Sequence, residues 1–185
     1  ATANLVTTGN TAFTGAVTLT GGAGAGSNAT LTLNGATNSF AGGLSLATAS
    51  KSLLTVASST AQTVSGTITG SGAITVDNAA GVTFSNAVTA GGITIEKAAG
   101  DSAATFQAAV TAPITLGGAG TGTNTVTFDG TNAGFTVTGA IAGAAAGETN
   151  NIAVIGGNTF TLASASTSNL VIVSGTGSGS SLARG

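Results

Sequence analysis

The sequence predicts an all-β protein, a β-solenoid (parallel β-helix) whose coils are about 22 residues long, within the range of periods that marks repeat architectures. Three observations carry this. Phe84, Phe106 and Phe128 are equally spaced along the chain. Short segments alternate an apolar residue with Thr, as in Leu31-Thr32-Leu33, Ile74-Thr75-Val76 and Val82-Thr83-Phe84. That is the period of two expected of a strand with one buried face. The side chains are also small: 31 of the 185 residues are Gly, and the only aromatics are 7 Phe. The core is therefore expected to be thin.

From the N-terminus the same phrase recurs. Phe13, Val17 and Leu19 open it in "TAFTGAVTLTGG", and Phe40, Leu44 and Leu46 continue it in "NSFAGGLSLAT". Next, Val64 aligns with Phe84, and Ile74-Thr75-Val76 aligns with Ile93-Thr94-Ile95. Val82, Ala104 and Val126 each precede a Phe of the equally spaced series by two, and Val88 and Val110 follow the first two at a common offset. A second strand is expected at Ile93-Thr94-Ile95, Ile114-Thr115-Leu116 and Phe135-Thr136-Val137, after Gly91-Gly92, Pro113 and Gly134. The stretch "NIAVIGGNTFTLASASTSNLVIV" reads as strand, turn, strand. Helix is expected to be minor. The Ala-rich runs 103–109 and 142–147 are its best candidates, and both are cut by Gly or β-branched residues.

A fixed period of this kind points to stacked repeats. One coil cannot bury its own apolar face, but a second coil stacked about 4.8 Å above it can. Like residues then lie over like residues, with Phe84, Phe106 and Phe128 in one interior stack and Val88 on Val110. The length accommodates about 8 coils of this size. The alternative is an antiparallel β-sandwich, for which Asn34-Gly35 and Asp129-Gly130 supply hairpin turns. Equal steps favour the solenoid, because a sandwich has no reason to keep them. The expected organisation is a solenoid domain over 1–173. The Gly/Ser-rich "SGTGSGSSLARG" of 174–185 reads as a tail or linker.

Composition narrows function. Charged residues are 4% of the chain, against about 25% in typical soluble domains. Lys51, Lys97 and Arg184 are the three basic residues, too few for a phosphate-binding stripe or for attachment to anionic lipid. Nucleic acid is thus not an expected partner. No disulfide, thiolate site or histidine switch is available, since Cys and His are absent. Thr, Asn, Ser and Gly interrupt every apolar run, so no transmembrane helix is expected. A membrane β-barrel would carry aromatic girdles of a kind that a chain without Trp and Tyr does not supply. Low charge gives little repulsion between copies and permits self-association.

The stretches "TLTLNGATNSFAGGLSLATASKSLLTV" (30–56) and "VTFSNAVTAGGITI" (82–95) resemble passenger domains of bacterial autotransporters. They are also similar to related Gly/Thr/Asn-rich surface proteins, including the autotransporter-associated β-strand repeat. The resemblance implies a secreted right-handed β-helix displayed at the bacterial cell surface, serving as adhesin or coat. The poverty of charge also resembles that of surface-layer and filament subunits.

No catalytic, cofactor or metal residues are expected. The acids are Asp77, Glu96, Asp101, Asp129 and Glu148. Two of them could serve glycoside hydrolysis, but the basic and aromatic sugar-binding groups that such sites use are nearly absent, and solvated turns are the better reading. "GGAGAGSNA" (21–29) and "GGAGTGTNT" (117–125) share the glycines of a calcium-binding nonapeptide repeat, yet place Gly26 and Gly122 where its acid belongs. Both also lack the Lys of a phosphate loop, and both read as flexible loops between coils. Thr-x-Thr triplets begin at 18, 30, 67, 125 and 159. Such pairs resemble the surface of ice-binding solenoids, but their irregular spacing reads as ordinary outward-facing strand threonines. The expected function is therefore a non-enzymatic, extracellular structural subunit of a bacterial surface layer or filament. Its first partner is a copy of itself, with other cell-surface components or host and polysaccharide surfaces beyond that. The alternative is an adhesin module. The expected assembly residues are Val17 and Leu19 near one end, and Leu170, Val171, Ile172 and Val173 near the other.

Overall fold

The computed structural model describes residues 2–97, 100–118, 121–130, 136–143, 148–155, 159–162, 170–174 and 181–184, the last three stretches through their backbone. Its strands wind in coils of three. The first coil is β1 (Ala3–Thr7), β2 (Thr11–Phe13) and β3 (Val17–Leu19). The second is β4 (Ala29–Leu33), β5 (Thr37–Phe40) and β6 (Leu44–Leu46). Then come β7 (Ser52–Ala57), β8 (Gln62–Ser65) and β9 (Ile68–Gly70), followed by β10 (Ala73–Asp77), β11 (Val82–Phe84) and β12 (Val88–Thr89). The fifth coil is β13 (Gly92–Ile95), β14 (Ser102–Phe106) and β15 (Val110–Thr111). The sixth is β16 (Ile114–Leu116), β17 (Thr123–Asp129) and β18 (Val137–Thr138). The seventh is β19 (Ile141–Gly143), β20 (Thr149–Ile155) and β21 (Thr159–Leu162), and β22 (Leu170–Ser174) and β23 (Ser181–Arg184) follow it.

Strands of like position pair into three sheets. Sheet A runs β1-β4-β7-β10-β13-β16-β19, sheet B runs from β2 to β22, and sheet C runs from β3 to β23. Every pairing is parallel, as between Val82 and Ala104 or Ile93 and Ile114. The protein is a β-solenoid, and the hairpins of the sandwich alternative do not form. Asn34 and Gly35 mark the corner between β4 and β5 instead. No helix occurs among the described residues. The Ala-rich run that starts at Ala103 is strand through Phe106, and 144–147 lie outside the described residues.

The interior is a set of columns. Phe84, Phe106 and Phe128 are in register, with ring centroids 5.0 Å and 6.1 Å apart and interplanar angles of 10° and 24°. Val64 extends this column on one side and Val154 on the other. Val88 lies on Val110, as the sequence requires. Phe13 and Phe40 form a separate stack, 5.0 Å apart and 5° from parallel. The register places Asn38, not Phe40, beside Val64, and this offset splits the phenylalanines into two groups. The offset brings Gly66 against the Phe40 carbonyl at φ 102°, where a side chain would both clash and strain the backbone.

One sequence expectation is corrected. The segment around Val137 is not the counterpart of Ile93 and Ile114. Val137 pairs with Val110 in sheet C, and Ile141 takes the place after Ile114 in sheet A. Extra residues between Asp129 and Val137 lengthen that coil beyond the step of the phenylalanine series. Gly134 and Phe135 lie outside the described residues. Elsewhere the coil is shorter than that step, as between the paired residues Ala73 and Gly92. Corners absorb this variation while strand register is kept.

Candidate assembly edge and the charged corner

Charged side chains collect where sheet A turns into sheet B. Asp77 closes β10, Glu96 and Lys97 follow β13, Asp101 precedes β14, and Glu148 precedes β20. Each is engaged locally. Lys97 Nζ donates to Asp77 Oδ1 at 2.9 Å in the coil below, with both side chains more than a third exposed. Asp101 Oδ1 accepts from the Thr123 N–H at 2.8 Å, and Glu148 Oε2 accepts from the Gly118 N–H at 3.1 Å. The Glu96 carboxylate lies against the α-carbon of Gly118. At another corner, Asp129 Oδ2 accepts from Gln107 Nε2 at 3.2 Å. Most of these contacts hold a loop of one coil to its neighbour. A groove of about 420 Å³ at the A–B corner is lined by Asn34, Ser58, Ser59, Asp77, Ala79 and Lys97. Its one carboxylate is the one Lys97 already neutralises.

Lys51 does the corresponding work between sheets C and A. Its ammonium donates to the carbonyls of Gly22, Ala23 and Gly24 at 2.8, 3.0 and 3.1 Å. The glycine loop of 21–29 therefore directs carbonyl oxygens at a side chain of its own protein. The similar stretch 117–125 occupies a different corner, and its last residues enter β17.

Inside the A–B corner lies a feature that the sequence reading missed. Asn38, Gln62, Asn78, Ser102, Asn124 and Asn150 are all buried. Gln62 Nε2 donates to the carbonyls of Leu33 and Gly35 at 3.0 and 2.9 Å. Asn78 Nδ2 donates to Gln62 Oε1 at 2.8 Å, and Ser102 Oγ donates to the Val76 carbonyl at 2.8 Å. Asn124 Nδ2 donates to Asn150 Oδ1 at 3.2 Å. Strand pairing lapses at a corner, and buried carbonyls there need other donors. Amide side chains supply them. A signal was present: Ser102, Asn124 and Asn150 have the same inward parity on their strands as Phe106, Phe128 and Val154.

The outer faces carry uncharged columns of hydroxyls. On sheet A, Thr32, Thr55, Thr75, Thr94 and Thr115 are in register over five coils. On sheet B, Thr37, Thr63, Thr83, Thr105 and Thr127 repeat the pattern. Sheet C carries Thr18 beside Ser45 and Thr69, and Thr89 beside Thr111 and Thr138. The Thr-x-Thr triplets are irregular in sequence because they fall on different sheets, at Thr30 in A, Thr67 in C and Thr125 in B.

The expected assembly residues lie on edge strands. Val17 and Leu19 are in β3, the edge of sheet C, half-buried against the core. Leu170, Val171, Ile172 and Val173 are in β22, the far edge of sheet B, paired with Asn150 to Ala153. In the segment 174–185, Ser174 ends β22 and Ser181–Arg184 pair with Thr159–Leu162. Leu5 of β1 has the inward parity of its neighbour Leu31, yet is 52% exposed where Leu31 is fully buried. Comparisons with protein-family models, with curated proteins and with solved structures found no match to this chain.

Proposed function

We propose that this protein is a non-enzymatic structural component that works outside the bacterial cell, as a self-associating subunit of a surface layer or filament. The observation that carries the reading is the outward surface, where threonines stack in register over five coils of sheet A and of sheet B with no charge among them. Such columns leave little repulsion between copies. The engagement of Lys51, Lys97, Asp77, Asp101 and Glu148 in fastening loops also fits a structural role.

Negative-stain imaging and light scattering on the purified chain test this. Ordered rods or sheets are expected, with mass that rises with concentration. A folded monomer at every concentration refutes the structural reading and favours an adhesin module, whose partner would then be sought among cell-surface and polysaccharide ligands.

A further inference from the structure

We infer that two copies of this chain pair side by side through the outer face of sheet C, with the threonine ridge of each seated in a furrow of small residues on the other. The inference rests on the self-association reading and adds the face that makes the contact. Strand register builds the ridge. Thr18 lies beside Ser45 and Ser45 beside Thr69, Ile68 on Val88 carries the register forward, and Thr89, Thr111 and Thr138 follow. All six but Ser45 are exposed, whereas the threonines in register on sheets A and B, Thr37 apart, are half-buried. The residues that flank the short strands of sheet C are mostly Ala and Gly, so little side chain lies against its threonines.

The furrow runs beside the ridge. Two residues past each ridge position, from the second coil on, stand Ala47, Ser71, Gly91, Pro113 and Ala140, all exposed and all compact. A ridge beside a furrow is self-complementary about a two-fold axis, because each copy supplies both halves of the fit. Small side chains also let facing sheets interdigitate with no water between them.

Charge selects the face. A two-fold contact lays a face on itself, so a charge there would oppose its like. No charged residue lies on the six strands from β3 to β18 of sheet C or within two residues of them. Sheet A carries Asp77 at the end of β10, and sheet B carries Asp129 at the end of β17. Lys51, at the corner between sheets C and A, is bound to the carbonyls of Gly22, Ala23 and Gly24. Area sets the strength. Six strands about 4.8 Å apart, each about five residues wide at about 3.3 Å, give a patch of roughly 500 Å² on each copy. The two patches together reach about 1,000 Å², the lower bound for a specific contact. The pair is therefore one that forms as concentration rises, and its partner is a second copy of this chain.

The test uses the full chain and follows particle mass by light scattering over a concentration series, with circular dichroism and melting point as checks on folding. Thr69→Lys with Thr111→Lys puts two charges on the ridge, two coils apart. Ala47→Gln with Ser71→Gln fills the furrow without adding charge. Both pairs change exposed side chains, so the monomer is expected to fold as the parent does. Each pair is expected to raise the concentration needed for association about tenfold or more. Thr83→Lys with Thr127→Lys adds the same charge to the outward face of sheet B and is expected to associate like the parent. If the ridge variant fails to fold, the furrow variant decides alone. Association unchanged in a folded ridge or furrow variant overturns pairing through sheet C while leaving self-association intact. An equal loss in the sheet B variant overturns it in favour of a general effect of added charge. A parent that never associates overturns both this inference and the reading beneath it.

Discussion

Truncating Phe106 to Ala is expected to cost about 4–5 kcal/mol of stability, near the top of the range for Phe→Ala in protein cores. Three features of the structure place it there. The side chain is fully buried. Its ring stacks on two others, at 5.0 and 6.1 Å, and each aromatic pair contributes about 0.5–1.5 kcal/mol beyond area burial. The cavity also cannot collapse easily. Its floor and roof are Phe84 and Phe128, held on strands whose spacing of about 4.8 Å is fixed by backbone hydrogen bonds. Phe13→Ala is the matched control. That ring is half-buried and stacks on Phe40 alone, so about 2 kcal/mol is expected from partial burial and one pair.

Urea denaturation followed by circular dichroism measures both variants. With an m-value of about 2 kcal/mol per molar, ordinary for a small protein, the Phe106→Ala midpoint falls by about 2 M. Solenoids need not unfold in one step, so hydrogen exchange at the amides of β11, β14 and β17 serves as a local readout. A Phe106→Ala loss no larger than that of Phe13→Ala would refute the reasoning, because the columns would then not be the units of stability.

Other perturbations separate structural chemistry from site chemistry. Exchanging Asp77, Asp101 and Asp129 together for Asn should lower stability by no more than about 1 kcal/mol in calcium-free buffer, since the Lys97 pair is exposed and such pairs contribute little; a melting temperature that depends strongly on calcium would contradict this. Gln62→Leu should cost about 3 kcal/mol by taking a donor from the Leu33 and Gly35 carbonyls, of which Gly35 keeps Asn38 Nδ2, and by removing the Oε1 that accepts from Asn78 Nδ2, and a neutral result in the same denaturation assay would show the amide corner to be dispensable. Lys51→Met should speed proteolytic cleavage within 21–28 while moving the melting point little, and unchanged cleavage would mean that the three carbonyl contacts do not order the loop.

The strands were legible because they obey two strict conditions at once. Inward residues must be apolar, and they must also match the coil above. Phe84, Phe106 and Phe128 satisfy both, so their equal spacing revealed sheet B directly. The corners obey neither condition. Residues between Asp129 and Val137 could be added without moving any column, and counting a fixed step past them placed Val137 on the wrong sheet. The buried amides were hidden for a related reason. Asn124 sits on the same inward parity as Val126 and Phe128 and bonds Asn150 of the next coil, but a search for apolar alternation passes over a polar residue at such a position. The first coil was legible only in part. Val17 and Leu19 followed the strand phrase, whereas the pairing of β1 with β4 was not read, because Leu5 and Val6 do not alternate with threonine.

These same conditions explain why so little charge is tolerated. In a solenoid every outward residue has a neighbour about 4.8 Å above and below on the same column. A charge repeated from coil to coil would therefore stack like on like, and directly opposed like charges destabilise a sheet. Threonine escapes this. It is β-branched, suits a strand, and can be repeated five times over, as at Thr37, Thr63, Thr83, Thr105 and Thr127, with no electrostatic penalty. Charges survive at the corners, where loops of unequal length break the column and Asp77 can meet Lys97 instead of another acid. The repetition that builds the core thus also empties the faces of charge. A molecule made this way carries little electrostatic protection against its own copies. Self-association would then follow from the rules that make the fold, with no separate binding site required.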